Sequence, residues 1–179
     1  MGTPGLTTVG HGTLDATAFG TLVTAAGTGT LVDVRSFPGS RRHPHFGREQ
    51  MEQWLPALGV AYQWERALGG FRKPQVGSPN VALRHPAFRG YADHMRTAEF
   101  RAAVDRLVAA AAAQAITVMC SETLWWRCHR RLLADVLVLA RGVDVHHLRH
   151  DGRTEPHRVT EGARLADDGL PVYDAGVLL

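Results

Sequence analysis

Ala115-Ile116-Thr117-Val118-Met119-Cys120 is followed by Ser121-Glu122-Thr123-Leu124-Trp125-Trp126-Arg127, and then by Cys128-His129-Arg130-Arg131-Leu132-Leu133. The first six residues are largely apolar and β-branched, the pattern of a strand buried on both faces. From about Arg127 to Arg141, Leu132, Leu133, Val136, Leu137 and Ala140 recur at helical spacing, and Gly142 supplies the stop. Val143-Asp144-Val145-His146-His147-Leu148 reads as another strand. Strand, crossover helix and strand together make the repeating unit of a parallel sheet.

The same alternation continues upstream. Thr97 caps a helix whose inner face is Phe100, Val104, Leu107, Val108 and Ala111. Residues 65–90 hold Gly69-Gly70, Pro74, Gly77, Pro79 and Pro86, a long irregular connection of the kind that carries function. Val60 to Trp64 is a short strand, preceded by a helix from Arg48 to Leu58 that Gly59 ends. Leu31-Val32-Asp33-Val34 is a buried strand. Before it lies a helix capped by Thr13, with the stripe Phe19, Leu22, Val23 and Ala26. Leu6 to Val9 is the first strand, ending at Gly10-His11-Gly12. The expected fold is a single three-layer α/β domain over residues 6–150, with about five short, mostly parallel strands and helices on both faces. Residues 151–179 lack sustained periodicity and read as a C-terminal tail.

A chain of 179 residues suits one such domain, and 45% hydrophobic content with a mean hydropathy of −0.13 excludes wholesale disorder. No run approaches the ~20 apolar residues of a membrane span. Met1-Gly2-Thr3-Pro4-Gly5 has neither basic flank nor apolar core, so no export signal is expected. Cys120 and Cys128 cannot frame a disulfide scaffold, and a cytoplasmic location is the expectation. The chain is arginine-rich, with Lys73 its one lysine. Residues 1–150 carry 17 basic and 11 acidic side chains, against 3 and 6 in residues 151–179. The basic excess is sharpest between Arg35 and Arg48, which points to an anionic partner.

Parallel sheets bind ligands beyond the carboxyl ends of their strands. The residues falling there are His11, Arg35, Cys120 and Glu122, with His150 and Asp151 after the last strand. His11 and Glu122 are the acid–base candidates and Cys120 the candidate nucleophile. Arg35, Arg41, Arg42, Arg127 and Arg130 are candidates for holding anionic oxygens, and Trp125 and Trp126 for stacking on a flat base. Plainer alternatives stand beside these readings: solvated arginines in the 35–48 loop, helix-start guanidiniums of Arg127, Arg130 and Arg131 paired internally with Asp33 or Glu122, an inert buried cysteine, tryptophans packed as core. No Walker loop or dinucleotide fingerprint is present, and no cofactor is expected. Cys120, Glu122, Cys128 and His129 match no standard zinc spacing. Cys128 and His129, as neighbours on a helix, would diverge by about 100°, so no metal is expected either.

Several blocks carry a family resemblance. Thr8-Val9-Gly10-His11-Gly12, Val32-Asp33-Val34-Arg35-Ser36-Phe37-Pro38, Ser40-Arg41-Arg42, Leu68-Gly69-Gly70, Tyr91-Ala92-Asp93-His94-Met95, Cys120-Ser121-Glu122 and Arg127-Cys128-His129-Arg130 are similar to the signature of the bacterial and archaeal domain-of-unknown-function family 488. The resemblance spans roughly residues 6–150 and implies a small α/β domain without naming a reaction. Strand, cysteine, loop and helix, with Asp33-Val34-Arg35, also resemble rhodanese-like sulfurtransferases. The loop after Cys120 lacks glycine, however, and Arg127 falls one residue late for the Cys-X5-Arg phosphatase pattern. The leading functional expectation is a strand-end pocket for a phosphate-bearing substrate, a nucleic acid or nucleotide. The alternatives are a rhodanese-like thiol enzyme using Cys120 and a non-catalytic nucleic-acid-binding accessory protein.

Overall fold

The computed structural model describes residues 5–174. A six-stranded sheet has the order β3-β2-β4-β1-β5-β6, built from β1 (Leu6–Gly10), β2 (Thr30–Asp33), β3 (Ala61–Trp64), β4 (Ile116–Cys120), β5 (Val145–Leu148) and β6 (Thr154–Pro156). β1 to β5 pair in parallel, and β6 adds antiparallel to β5. The helices are α1 (Ala16–Ala25), α2 (Arg48–Ala57), α3 (Pro86–His94), α4 (Ala98–Ala113) and α5 (Arg130–Arg141). The mostly parallel α/β architecture is as the alternation of elements predicted.

Successive strand residues feed opposite faces, so both faces are apolar. Leu31 and Met119 pack with Phe19 and Val23 of α1 and with Met51 and Leu55 of α2. Val32 and Val118 pack on the other face with Phe100 and Val104 of α4 and with Leu132 and Val136 of α5. The two edge strands, β3 and β6, alternate exposed and half-buried residues, because each has one neighbour in the sheet.

Three local expectations need correction. Asp15, not Thr13, caps α1: its carboxylate accepts the Ala18 N–H at 2.7 Å, and Ala26 lies exposed beyond the helix end. The stretch read as irregular to residue 90 already begins α3 at Pro86, whose fixed φ suits a first helical turn. α5 starts at Arg130 rather than Arg127, since Trp125–Arg127 form a separate 3-10 turn and Cys128 is extended (φ −121, ψ 154).

α3 also ties down the long connection. Tyr91 donates to the Leu68 carbonyl at 2.9 Å, His94 Nε2 donates to Ala67 O at 2.7 Å, and Asp93 accepts from Gln75 N, Ser78 Oγ and Asn80 Nδ2. Downstream of Asp151, β6 completes the sheet, β7 (Arg164–Leu165) and β8 (Pro171–Val172) form a hairpin, and Tyr173 is fully buried.

Candidate active site

From β1 the chain crosses to β2, and from β4 it crosses in the opposite direction, over β1, to β5. The crevice beyond the ends of β1 and β4 is therefore where connections diverge, the favoured place for a ligand in an open sheet. A cleft of about 930 Å³ opens there, and His11, Arg35, Cys120 and Glu122 all line it. Gly10 makes the approach of its wall possible: a Cβ at that position would collide with the Glu122 carbonyl. The two loops are then stitched by His11 N–H to Cys120 O at 3.0 Å and Gly12 N–H to Ser121 O at 2.9 Å.

Arg35 is buried and committed internally. Its Nε donates to Asp33 Oδ1 at 2.9 Å, and its Nη2 to Asp33 Oδ2 at 2.5 Å and Phe46 O at 2.7 Å. The pair neutralises both charges, so Arg35 positions the wall rather than offering a free cation. Its remaining Nη1 lies 3.4 Å from His11 Nε2, while His11 Nδ1 donates to Gly12 O at 2.9 Å. Burial, then the Arg35 charge, lowers the His11 pKa to about 4, so the ring is neutral and its lone pair faces a guanidinium. Stacked 4.1 Å from Phe46, it is a poor proton acceptor for a substrate. Glu122 is exposed and is the one carboxylate among the cleft-lining residues.

The arginines separate sharply. Arg130 is fully buried beneath the loop, donating to the Glu122 carbonyl and, at 3.2 Å, to Thr8 Oγ1; it holds the loop and is not presented to the cleft. Arg41 is exposed outside the cleft lining. Arg42 and Arg127 are exposed on its rim, and among the described residues neither has a carboxylate within ion-pair distance. The tryptophans part company as well, with ring planes at 88°. Trp126 lines the cleft, whereas Trp125 stacks on His147 at 4.1 Å over a separate hollow of about 280 Å³ that also contains His150 and Asp151.

Several residues around the cleft had not been singled out. Phe37 and Phe71 stand at its mouth, 72% and 87% exposed. Phe71 is the one described non-glycine residue with positive φ, at 57°, a conformation that a bulky side chain disfavours. The sequence signal was an aromatic directly after Gly69-Gly70. At the floor, Cys120, Cys128 and His129 converge, their ligand atoms all within 4.8 Å of one another. The divergence expected for Cys128 and His129 does not occur, because Cys128 is extended and precedes the helix. Burial pushes the Cys128 thiol up, but the hydrogen bond from Cys120 and the nearby His129 and Arg130 outweigh it and bring Cys128 well below the ordinary range. The hydrogen bond to Cys128, and then burial, raise Cys120.

Fold and cleft together define an open α/β protein with a cleft at the topological switch point of its sheet. Residues 15–137 match the family described as "Domain of unknown function DUF488", and the chain belongs to that family. The matched span begins after β1 and ends within α5, narrower than the resemblance read over residues 6–150. Neither the curated proteins nor the solved structures give a significant match. No described helix is long and apolar enough to cross a membrane.

Proposed function

We propose that the strand-end cleft binds a nucleotide unit, free or within a single-stranded nucleic acid, and presents it to the floor. The observation that carries this reading is the composition of the mouth: Phe37, Phe71 and Trp126 are exposed around the same opening as the unpaired Arg42 and Arg127. Aromatic faces hold bases by stacking, at about 1–3 kcal/mol per base, while guanidiniums fork onto phosphate oxygens. Exposed rings beside unpaired cations bury little surface, and the positive φ at Phe71 is a conformation that costs a bulky residue free energy. Glu122 is the acid–base candidate that remains free to meet a substrate. The rhodanese-like reading gains less from this geometry, because its nucleophile, Cys120, is buried, and its hydrogen bond to Cys128 and that burial push its thiol pKa up.

The test is an equilibrium titration of the intact protein with 5′-mononucleotides and short single strands, followed by tryptophan fluorescence. Saturable quenching at low salt that disappears in Trp126→Leu is expected. An absence of affinity for every nucleotide and strand at low salt, with binding of a small non-nucleotide phosphate instead, would overturn the base-stacking part. No affinity for either class would overturn the reading as a whole.

A further inference from the structure

We propose that Cys120, Cys128 and His129 form a zinc site with three protein ligands and a fourth position open to the cleft. The proposal concerns the floor and stands whether or not the mouth takes a nucleotide.

The first support is the orientation of the imidazole. His129 Nε2 lies 3.1 Å from the Val34 carbonyl, which can only accept, so Nε2 carries the proton and Nδ1 presents its lone pair. A ring nitrogen anchored to a backbone carbonyl, with the other turned inward, is the usual arrangement of a metal-bound histidine. Nδ1 faces two sulfurs at once, Cys120 Sγ at 3.9 Å and Cys128 Sγ at 3.7 Å. One lone pair can take one thiol proton, so hydrogen bonding does not account for both contacts. A single cation between the three atoms does. With Zn–S near 2.3 Å and Zn–N near 2.0–2.1 Å, a tetrahedral sulfur–nitrogen edge is about 3.6 Å, within a few tenths of an ångström of both separations.

The second support is the surroundings of the sulfurs. The Arg130 backbone N–H points at Cys128 Sγ at 3.5 Å. The Arg130 guanidinium is buried without a carboxylate partner among the described residues, and its Nε has no hydrogen-bond partner. An amide donor and an uncompensated cation both favour a thiolate, the ligand form of cysteine. Gly70 closes over the imidazole so tightly that a Cβ would lie 2.8 Å from Nδ1, so a larger residue there would displace the ring. Two sulfurs and one imidazole suit zinc better than the oxygen-preferring magnesium or calcium. All three ligand residues line the cleft, which leaves the fourth position to solvent or to a substrate atom.

The experiment measures zinc in the tag-free protein, then replaces it with cobalt(II) and records the absorption spectrum. The expected result is one zinc per chain and a thiolate-to-cobalt charge-transfer band with tetrahedral visible bands. Cys128→Ser and His129→Ala should each weaken zinc binding by at least about 100-fold in a chelator competition, with the far-ultraviolet dichroism retained. If those variants fail to fold, the wild-type cobalt spectrum decides. A wild-type protein that takes up no stoichiometric zinc when supplied with it, or whose cobalt form lacks the thiolate band, overturns the proposal. Nucleotide affinity is read separately by fluorescence, so failure of one reading does not imitate failure of the other.

Discussion

On one side of β1, toward β5 and β6, one continuous hydrogen-bonded chain joins the buried polar side chains, with Arg130 Nε and Thr160 Oγ1 left outside it. On the other side, toward β4 and β2, the cleft leaves charges and rings unanswered. Toward β5, Arg130 Nη1 donates to Thr8 Oγ1, Thr8 meets His147 Nδ1 at 2.7 Å, and His147 Nε2 meets His157 Nδ1 at 2.9 Å. His157 Nε2 then reaches Asp135 Oδ1 at 2.8 Å, and Tyr173 and the Thr160 N–H also bond Asp135. A guanidinium can only donate and a carboxylate only accept, and one head-to-tail proton order satisfies both ends. The chain links a buried cation to a buried anion that it does not touch. In the cleft, by contrast, Arg42, Arg127, Phe37, Phe71 and Trp126 are exposed around one opening. Buried polar groups persist when satisfied because that holds the fold together. Exposed and unpaired ones must be explained by what they meet.

The comparison predicts stability effects that shrink from the first region to the second. Asp135→Ala should have the largest, removing the acceptor of three donors and the counter-charge of the chain. A loss of about 3–5 kcal/mol is expected from urea unfolding. A loss below about 1 kcal/mol would show that the network is not what secures the C-terminal segment.

Acidification should act next. Burial, then His157, lowers the His147 pKa to about 3, with Arg130 and His146 adding to the effect and Cys128 opposing it. Between that value and the unfolded value near 6.5 the unfolded chain binds a proton that the folded chain refuses, so this contribution is complete above pH 6.5 and lost as pH falls. By pH 5 the loss should amount to about 2 kcal/mol. Unfolding midpoints flat from pH 7 to 5 would contradict it, and His147→Gln should flatten the dependence.

At the mouth the sign reverses. Phe71→Gly relieves a left-handed backbone and sacrifices little burial, so stability should rise by up to about 1 kcal/mol while nucleotide affinity falls. A destabilised Phe71→Gly would mean that the ring packs for the fold's sake.

The legibility of the sequence follows the same division. β4, α5 and β5 could be read because continuous apolar runs and helical spacing are local signals. The meeting of His11, Arg35, Cys120 and Glu122 could be read because strand ends in a parallel sheet converge. Asp135 could not: it is a polar residue within an apolar helix, and its partners come from the aperiodic segment after Asp151, whose strands are only two or three residues long. The Asp33–Arg35 pair was not foreseen: Asp33 was weighed as a partner of the helix-start arginines, since residue type alone does not reveal which arginine finds an internal carboxylate. The convergence of Cys128 with His129 was missed because it depends on where α5 begins, and a shift of three residues in that boundary replaces divergence with approach. Phe71 leaves no periodic trace, being set by loop conformation.

The most direct test is the double variant Arg42→Ala with Arg127→Ala, compared with wild type by single-strand binding across a salt series and by thermal unfolding. Exposed, unpaired arginines should leave stability within about 0.5 kcal/mol. Single-strand affinity at low salt should fall, and the slope of log K against log salt should become shallower by about 0.7 for each phosphate contact removed, or about 1.4 for both. Unchanged stability with a lost salt slope is the predicted result. An unchanged slope and affinity, or a loss of stability with binding intact, would contradict the division of the molecule into a satisfied scaffold and an unsatisfied binding mouth.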